Sequence, residues 1–156
     1  LVLGGQANLW TEQIQNLRSA EYMTYPRALA IAECLWSPST GKNWNEFVKR
    51  VEQHFEKLDA AQIRYAKSMY DPIVKTTLNT KGELYATMEG EVEGLSFYYT
   101  IDESLPDNFS SPYQAAVQIP EDVLTLRIIT YRNGNPIGKL MNIPIESLKT
   151  RATKVL

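Results

Sequence analysis

Residues 1–12 read LVLGGQANLWTE, and the interpretation of the whole chain turns on them. An apolar run, Leu1-Val2-Leu3, leads into Gly4-Gly5, and Trp10 follows with Glu12 two positions on. The pattern predicts a strand ending in a glycine-rich turn, from which a flat aromatic ring and a carboxylate emerge together. That pairing suits a sugar. The apolar C–H face of a pyranose stacks on an aromatic ring, while its hydroxyls bond a charged acceptor. On residue type alone, Trp10 and Glu12 read better as a core tryptophan and a carboxylate at a helix start, since buried tryptophans are common.

Working outward, residues from about Ala20 to Tyr70 show helical periodicity. Pro26 suits a first helical turn, where its missing N–H costs nothing. Leu29, Ala30, Ala32, Glu33 and Trp36 follow at helical spacing, and Ser37-Pro38 with Gly41 closes the segment. Asn43 is the expected N-cap of a longer helix, with Glu46 three residues on. Its buried stripe would be Trp44, Phe47, Val48, Val51, Phe55 and Leu58, and Asp71-Pro72 would stop it.

Beyond Val74 the pattern changes to alternation. Strands are expected near 72–79, 83–88, 95–101, 113–119, 124–131 and 137–145. Asn133-Gly134 between two such runs marks a hairpin, because both turn positions need φ > 0. Six or seven short strands in about 80 residues imply a small immunoglobulin- or fibronectin-like β-sandwich.

The string Gly4-Gly5-x-Ala7-x-Leu9-Trp10-x-Glu12 is followed by Tyr22-Met23-x-Tyr25-Pro26-Arg27-Ala28-Leu29-Ala30-x-Ala32-Glu33-x-x-Trp36-Ser37. Together they resemble the last stretch of the catalytic barrel of glycoside hydrolase family 20, the β-N-acetylhexosaminidases. Phe97-Tyr98-Tyr99-Thr100-Ile101-Asp102-Glu103-Ser104-x-Pro106 resembles the hairpin of the chitobiase-type C-terminal sandwich, with Glu103 where glycine is usual. The resemblance implies an α+β chain: the helical end of a (β/α)8 barrel over 1–72, then the β-sandwich over 73–156. It also implies that Trp10 walls the pocket for a terminal N-acetylhexosamine and that Glu12 bonds hydroxyls on its far side. Family 20 enzymes use no cofactor or metal. They work through an adjacent Asp-Glu pair in a His-x-Gly-Gly-Asp-Glu motif, an exception to the two-carboxylate scheme because the substrate's own acetamide attacks the anomeric carbon.

That motif is absent from these 156 residues, and Asp102-Glu103 falls in the sandwich hairpin, where an exposed turn cannot desolvate a carboxyl into an acid. The chain alone is therefore expected to be inactive, with no catalytic residue of its own. It opens in mid-strand without Met, which predicts a longer parent, periplasmic or extracellular as is usual for the family. Arg27 and Glu33 are expected to form a bridge fixing a helix to the barrel, Trp36 to pack, and His54 to be structural. Asn108-Phe109-Ser110 matches a glycosylation acceptor, a three-residue pattern frequent by chance.

Composition narrows the partners. Sixteen basic and eighteen acidic residues give a net charge of −2 without a basic patch, so no nucleic-acid footprint exists. No apolar run approaches the ~20 residues of a membrane helix. One cysteine, Cys34, excludes an internal disulfide, and one histidine excludes a multi-histidine metal site. A glycan substrate in the full-length protein and self-association of the fragment through its uncovered barrel surfaces are the partners expected. The competing reading is a carbohydrate- or protein-binding sandwich on a helical stalk. Tyr98 and Tyr99 point to opposite faces of a regular strand, so at most one is free for such a role.

Overall fold

The computed structural model describes residues 4–154, and it divides after Ala66 into two compact units. The fold is α+β, with helices in the first unit and two antiparallel-rich sheets in the second.

The first unit holds α1 (Leu17–Thr24), α2 (Arg27–Trp36) and α3 (Trp44–Ala60). Asn16 caps α1 by accepting from the Ser19 backbone N–H at 2.9 Å. Asn43 caps α3 in the same way, accepting from Glu46 N–H at 3.0 Å, as its position in the sequence predicts. Val48, Val51 and Phe55 are the buried stripe of α3, whereas Trp44 at its first turn is half exposed.

α3 stops ten residues short of Tyr70, where the helical periodicity was expected to run out. Ile63 N–H bonds Leu58 C=O at 2.9 Å, Gln62 N–H bonds Asp59 C=O at 3.0 Å, and Gln62 has φ +56°. These are the paired bonds of a Schellman stop. Glycine usually fills its left-handed position, and glutamine there gives the sequence no warning. The chain then returns along α1. Arg64 N–H donates to Glu21 Oε2 at 3.0 Å, and Ala66 N–H donates to Tyr25 C=O at 2.9 Å. Tyr65 stacks on Phe55 with centroids 4.1 Å apart and donates its hydroxyl to Asp59. Burial, then that bond, pushes the Tyr65 phenol up to about 12.

The strand expected at Leu1–Gly5 is not formed over Gly4 and Gly5, and Leu1, Val2 and Leu3 lie outside the described residues. A parallel barrel strand takes its backbone partners from flanking strands. Among the described residues none flanks this segment.

The second unit is a pair of packed sheets. One has the order β5-β2-β1-β9, from β1 (Ile73–Leu78), β2 (Leu84–Glu89), β5 (Val117–Ile119) and β9 (Thr153–Lys154). The other runs β4 (Ser111–Pro112), β3 (Leu95–Thr100), β6 (Thr125–Arg132) and β7 (Asn135–Pro136), with β8 (Met141–Pro144) also paired to β6. Alternation does the packing. Leu84, Ala86 and Met88 of β2 face Phe97, Leu126 and Ile128 across the core.

Asn133 and Gly134 have φ +51° and +78°, the two positive angles the hairpin requires. Of the strand expected over 113–119 only Val117–Ile119 forms, because the chain changes sheets between β4, paired to β3, and β5, paired to β2. The strand expected over 137–145 ends at Pro144, which opens a five-residue helix, α4 (Ile145–Lys149). Its Ile145 and Leu148 cover the core, and the Leu148 carbonyl accepts from buried Thr76 Oγ1 at 3.0 Å.

Asp71, just before β1, accepts from the Lys139 backbone N–H at 3.2 Å, and burial raises its carboxyl above the ordinary range. The native state then holds this proton to higher pH than the unfolded chain. The contribution to stability is full below the unfolded value, near about 3.9, and is lost as pH rises through the native one. Asp71→Asn keeps an acceptor without the charge. Melting both proteins across the acid-to-neutral range should therefore show the variant gaining on the wild type as pH rises. A constant difference would contradict the burial of this group.

Candidate functional site

The N-terminal stretch sits on α2. A side chain at Gly5 would meet Leu35 Cδ2 at 3.0 Å, so glycine allows the close approach of this backbone to the helix. From there to Asn16 the chain is irregular, with one turn closed by Ile14 N–H to Thr11 C=O at 3.1 Å. Trp10 and Glu12 flank Thr11 on this segment, and both are exposed, Trp10 to 73%. The segment thus presents an aromatic surface and a carboxylate side by side, on irregular backbone close to a helix.

α1 and α2 contribute no buried residue, although α2 reads RALAIAECLW. Ile31, Leu35 and Trp36 are exposed, Trp36 to 88%. The expectation that Trp36 packs is corrected here: it ends α2 as an exposed ring at the edge of a groove shared with Phe47 and His54 of α3.

The expected Arg27–Glu33 bridge is also corrected. Six residues at about 100° each place the two on different sides of α2. Arg27 opens the helix and turns back, donating Nη1 to the Tyr22 and Met23 carbonyls at 3.0 and 3.1 Å, groups the end of α1 leaves unpaired. Glu33 instead meets Arg50 of α3 at 2.6 Å, with the carboxylate side chain only 18% exposed. This pair bridges α2 and α3 over a shallow groove of about 230 Å³, lined also by Leu29, Trp36, Phe47 and His54. Two helical residues seventeen apart carry no local spacing signal, so the sequence did not reveal the pair.

Asp102 and Glu103 lie in an exposed turn after β3. Asp102 Oδ1 accepts from Ser104 N–H at 3.1 Å and Ser104 Oγ at 2.6 Å, and these bonds hold its carboxyl below the usual range. Glu103 has φ +64°, which explains why glycine suits this position. Arg127 steadies the turn, donating Nη2 to Glu103 Oε2 at 2.8 Å and Nη1 to the Glu103 and Ser104 carbonyls. An acid catalyst needs the opposite shift, so this pair is architectural.

Among the described residues no three His, Cys, Asp or Glu side chains converge as a metal site, and no helix is long and apolar enough to cross a membrane.

Comparison with known proteins finds two family matches within the chain. Residues 1–39 match the catalytic domain of glycosyl hydrolase family 20, and residues 87–142 match the Fn3-associated family. A β-hexosaminidase of Porphyromonas gingivalis is 29% identical over 150 residues, which is 93% of this chain and 19% of that protein. A β-N-acetylhexosaminidase of Cellulomonas fimi is 34% identical over 67 residues, 43% of this chain and 14% of that protein. A β-hexosaminidase of Akkermansia muciniphila is 38% identical over 53 residues, 34% of this chain and 11% of that protein. The chain thus spans less than a fifth of the length of each of these relatives.

Proposed function

We propose that this chain is the closing segment of a β-N-acetylhexosaminidase, which removes terminal non-reducing N-acetylhexosamine from glycans by substrate-assisted catalysis. The family 20 match over residues 1–39, which contains the string ending in Trp10 and Glu12, carries the reading. Trp10 would stack on the apolar face of the sugar, and Glu12 would accept hydrogen bonds from its hydroxyls. The general acid and the carboxylate that orients the acetamide would come from earlier strands of the barrel. A (β/α)8 barrel needs eight strands, and this chain supplies the sequence of one.

The test is to express the chain with and without the reading frame that precedes it. Release of nitrophenol from 4-nitrophenyl N-acetyl-β-glucosaminide is expected with the preceding barrel and absent without it. A longer protein that folds, binds the substrate analogue and never cleaves would count against the proposal.

We also propose that the chain on its own self-associates through its helical unit. Leu17, Ile31, Leu35 and Trp36 are all exposed large apolar side chains of this unit, and extended exposed apolar surface is rare on soluble monomers. Light scattering should give at least a dimer at micromolar concentration, and Trp36→Ser with Leu35→Ser should shift it toward monomer. A wild-type monomer would contradict this second proposal and leave the first untouched.

A further inference from the structure

The outer face of the β4-β3-β6-β7 sheet is not the polar surface a solvated sandwich normally shows. On β6, Leu126, Ile128 and Thr130 are fully buried, so Arg127, Ile129 and Tyr131 point outward. On β3, Phe97 is buried and Tyr99 packs on the core, which turns Tyr98 outward. The strand register joins these residues. Tyr98 lies opposite Ile129 on one side and Pro112 on the other, while Tyr131 lies opposite Pro136. The two tyrosine rings meet edge to face, centroids 5.3 Å apart at 74°. The sequence argument that at most one of Tyr98 and Tyr99 is free holds, but the free one gains a partner from β6.

We infer that this band binds a neutral glycan, with Tyr98 and Tyr131 as the stacking residues. The charge pattern selects the ligand. The one charged side chain in this outward row, Arg127, is committed to Glu103 at 2.8 Å. A charged polymer would gain no ion pair there. The polar groups in and around the band are the two phenols, Asn142, and Thr100, whose hydroxyl already donates to the Ser104 carbonyl at 2.7 Å; Asn142 and Thr100 both lie opposite Arg127 in the register. Hydroxyls and carboxamides both donate and accept, as sugar hydroxyls do. Aromatic rings flanked by such groups match the alternating C–H and O–H surface of a pyranose. The inference is independent of the roles proposed for Trp10 and Glu12.

The test is an amide-resolved NMR titration of the full chain with N-acetylchitohexaose, cellohexaose and a heparin hexasaccharide. Saturable shifts at Tyr98, Ile129 and Tyr131 are expected with a neutral hexasaccharide. Tyr131→Ala should weaken that binding by about 2- to 10-fold, and Tyr131→Phe by less, since the ring remains. Shifts confined to Trp10–Glu12 would overturn the inference while supporting the first unit's sugar site. Heparin binding as tightly as the neutral sugars would overturn it too. So would broadening of the Tyr98 and Tyr131 signals with protein concentration alone, which would make the face a protein contact. The wild-type titration decides even if Tyr131→Ala fails to fold.

Discussion

The isolated chain is expected to release no nitrophenol from a chromogenic N-acetylglucosaminide, even at high protein concentration. Loss of a general acid alone costs about 10²- to 10⁴-fold, and the carboxylate that would orient the acetamide is missing as well. The one adjacent Asp-Glu pair cannot substitute. Ser104 holds the Asp102 carboxyl below the usual range, the opposite of what an acid needs, and Glu103 is tied to Arg127 in an exposed turn. Turnover that follows the protein peak through repurification would mean that the acid lies within these 156 residues, and the proposed division of labour would fail.

The features the sequence made legible are those whose signal is local. Asn43 reads as a cap because it precedes an apolar stripe at helical spacing, and it caps α3. Asn133-Gly134 reads as a hairpin because only such residues adopt two positive φ angles cheaply, and it forms one. The alternation in β2, β3 and β6 carries the sandwich core. The misreadings share one cause, since each depends on something distant or on an atypical residue. α3 ends at a left-handed Gln62 where glycine would have announced the stop. α4 is too short to show a period, and its start coincides with a strand's end at Pro144. Glu33 finds Arg50 and not Arg27 because the packing of α2 on α3 decides the partner.

The candidate site was legible in a different sense. Its residue types and order, from Gly4 to Glu12, are distinctive enough to read as a family signature. Its strand geometry is not intrinsic to those residues. Strands draw their stability from cross-strand neighbours, and Gly4 and Gly5 pair with no strand among the described residues. The helices α1 and α2 likewise bury none of their residues, α2 despite its RALAIAECLW composition. The second unit, by contrast, closes its own core with two sheets and α4, which accounts for the concentration of fully buried side chains there.

The central proposal is that Glu12 contacts the substrate sugar, and Glu12→Gln in the longer hexosaminidase proposed above tests it most directly. The amide keeps the shape and an acceptor but loses the charge. A hydrogen bond to a charged group is worth roughly 1.5–3 kcal/mol, so kcat/KM should fall by about one to two orders of magnitude. Because Glu12 would hold hydroxyls remote from the cleaved bond, much of the loss should appear in KM, as uniform binding does. The decisive measurement is kcat/KM of Glu12→Gln against wild type on a chromogenic N-acetylglucosaminide, with melting curves confirming equal folding. A fall of that size is expected, and unchanged kinetics in a fully folded variant would remove Glu12 from the sugar site.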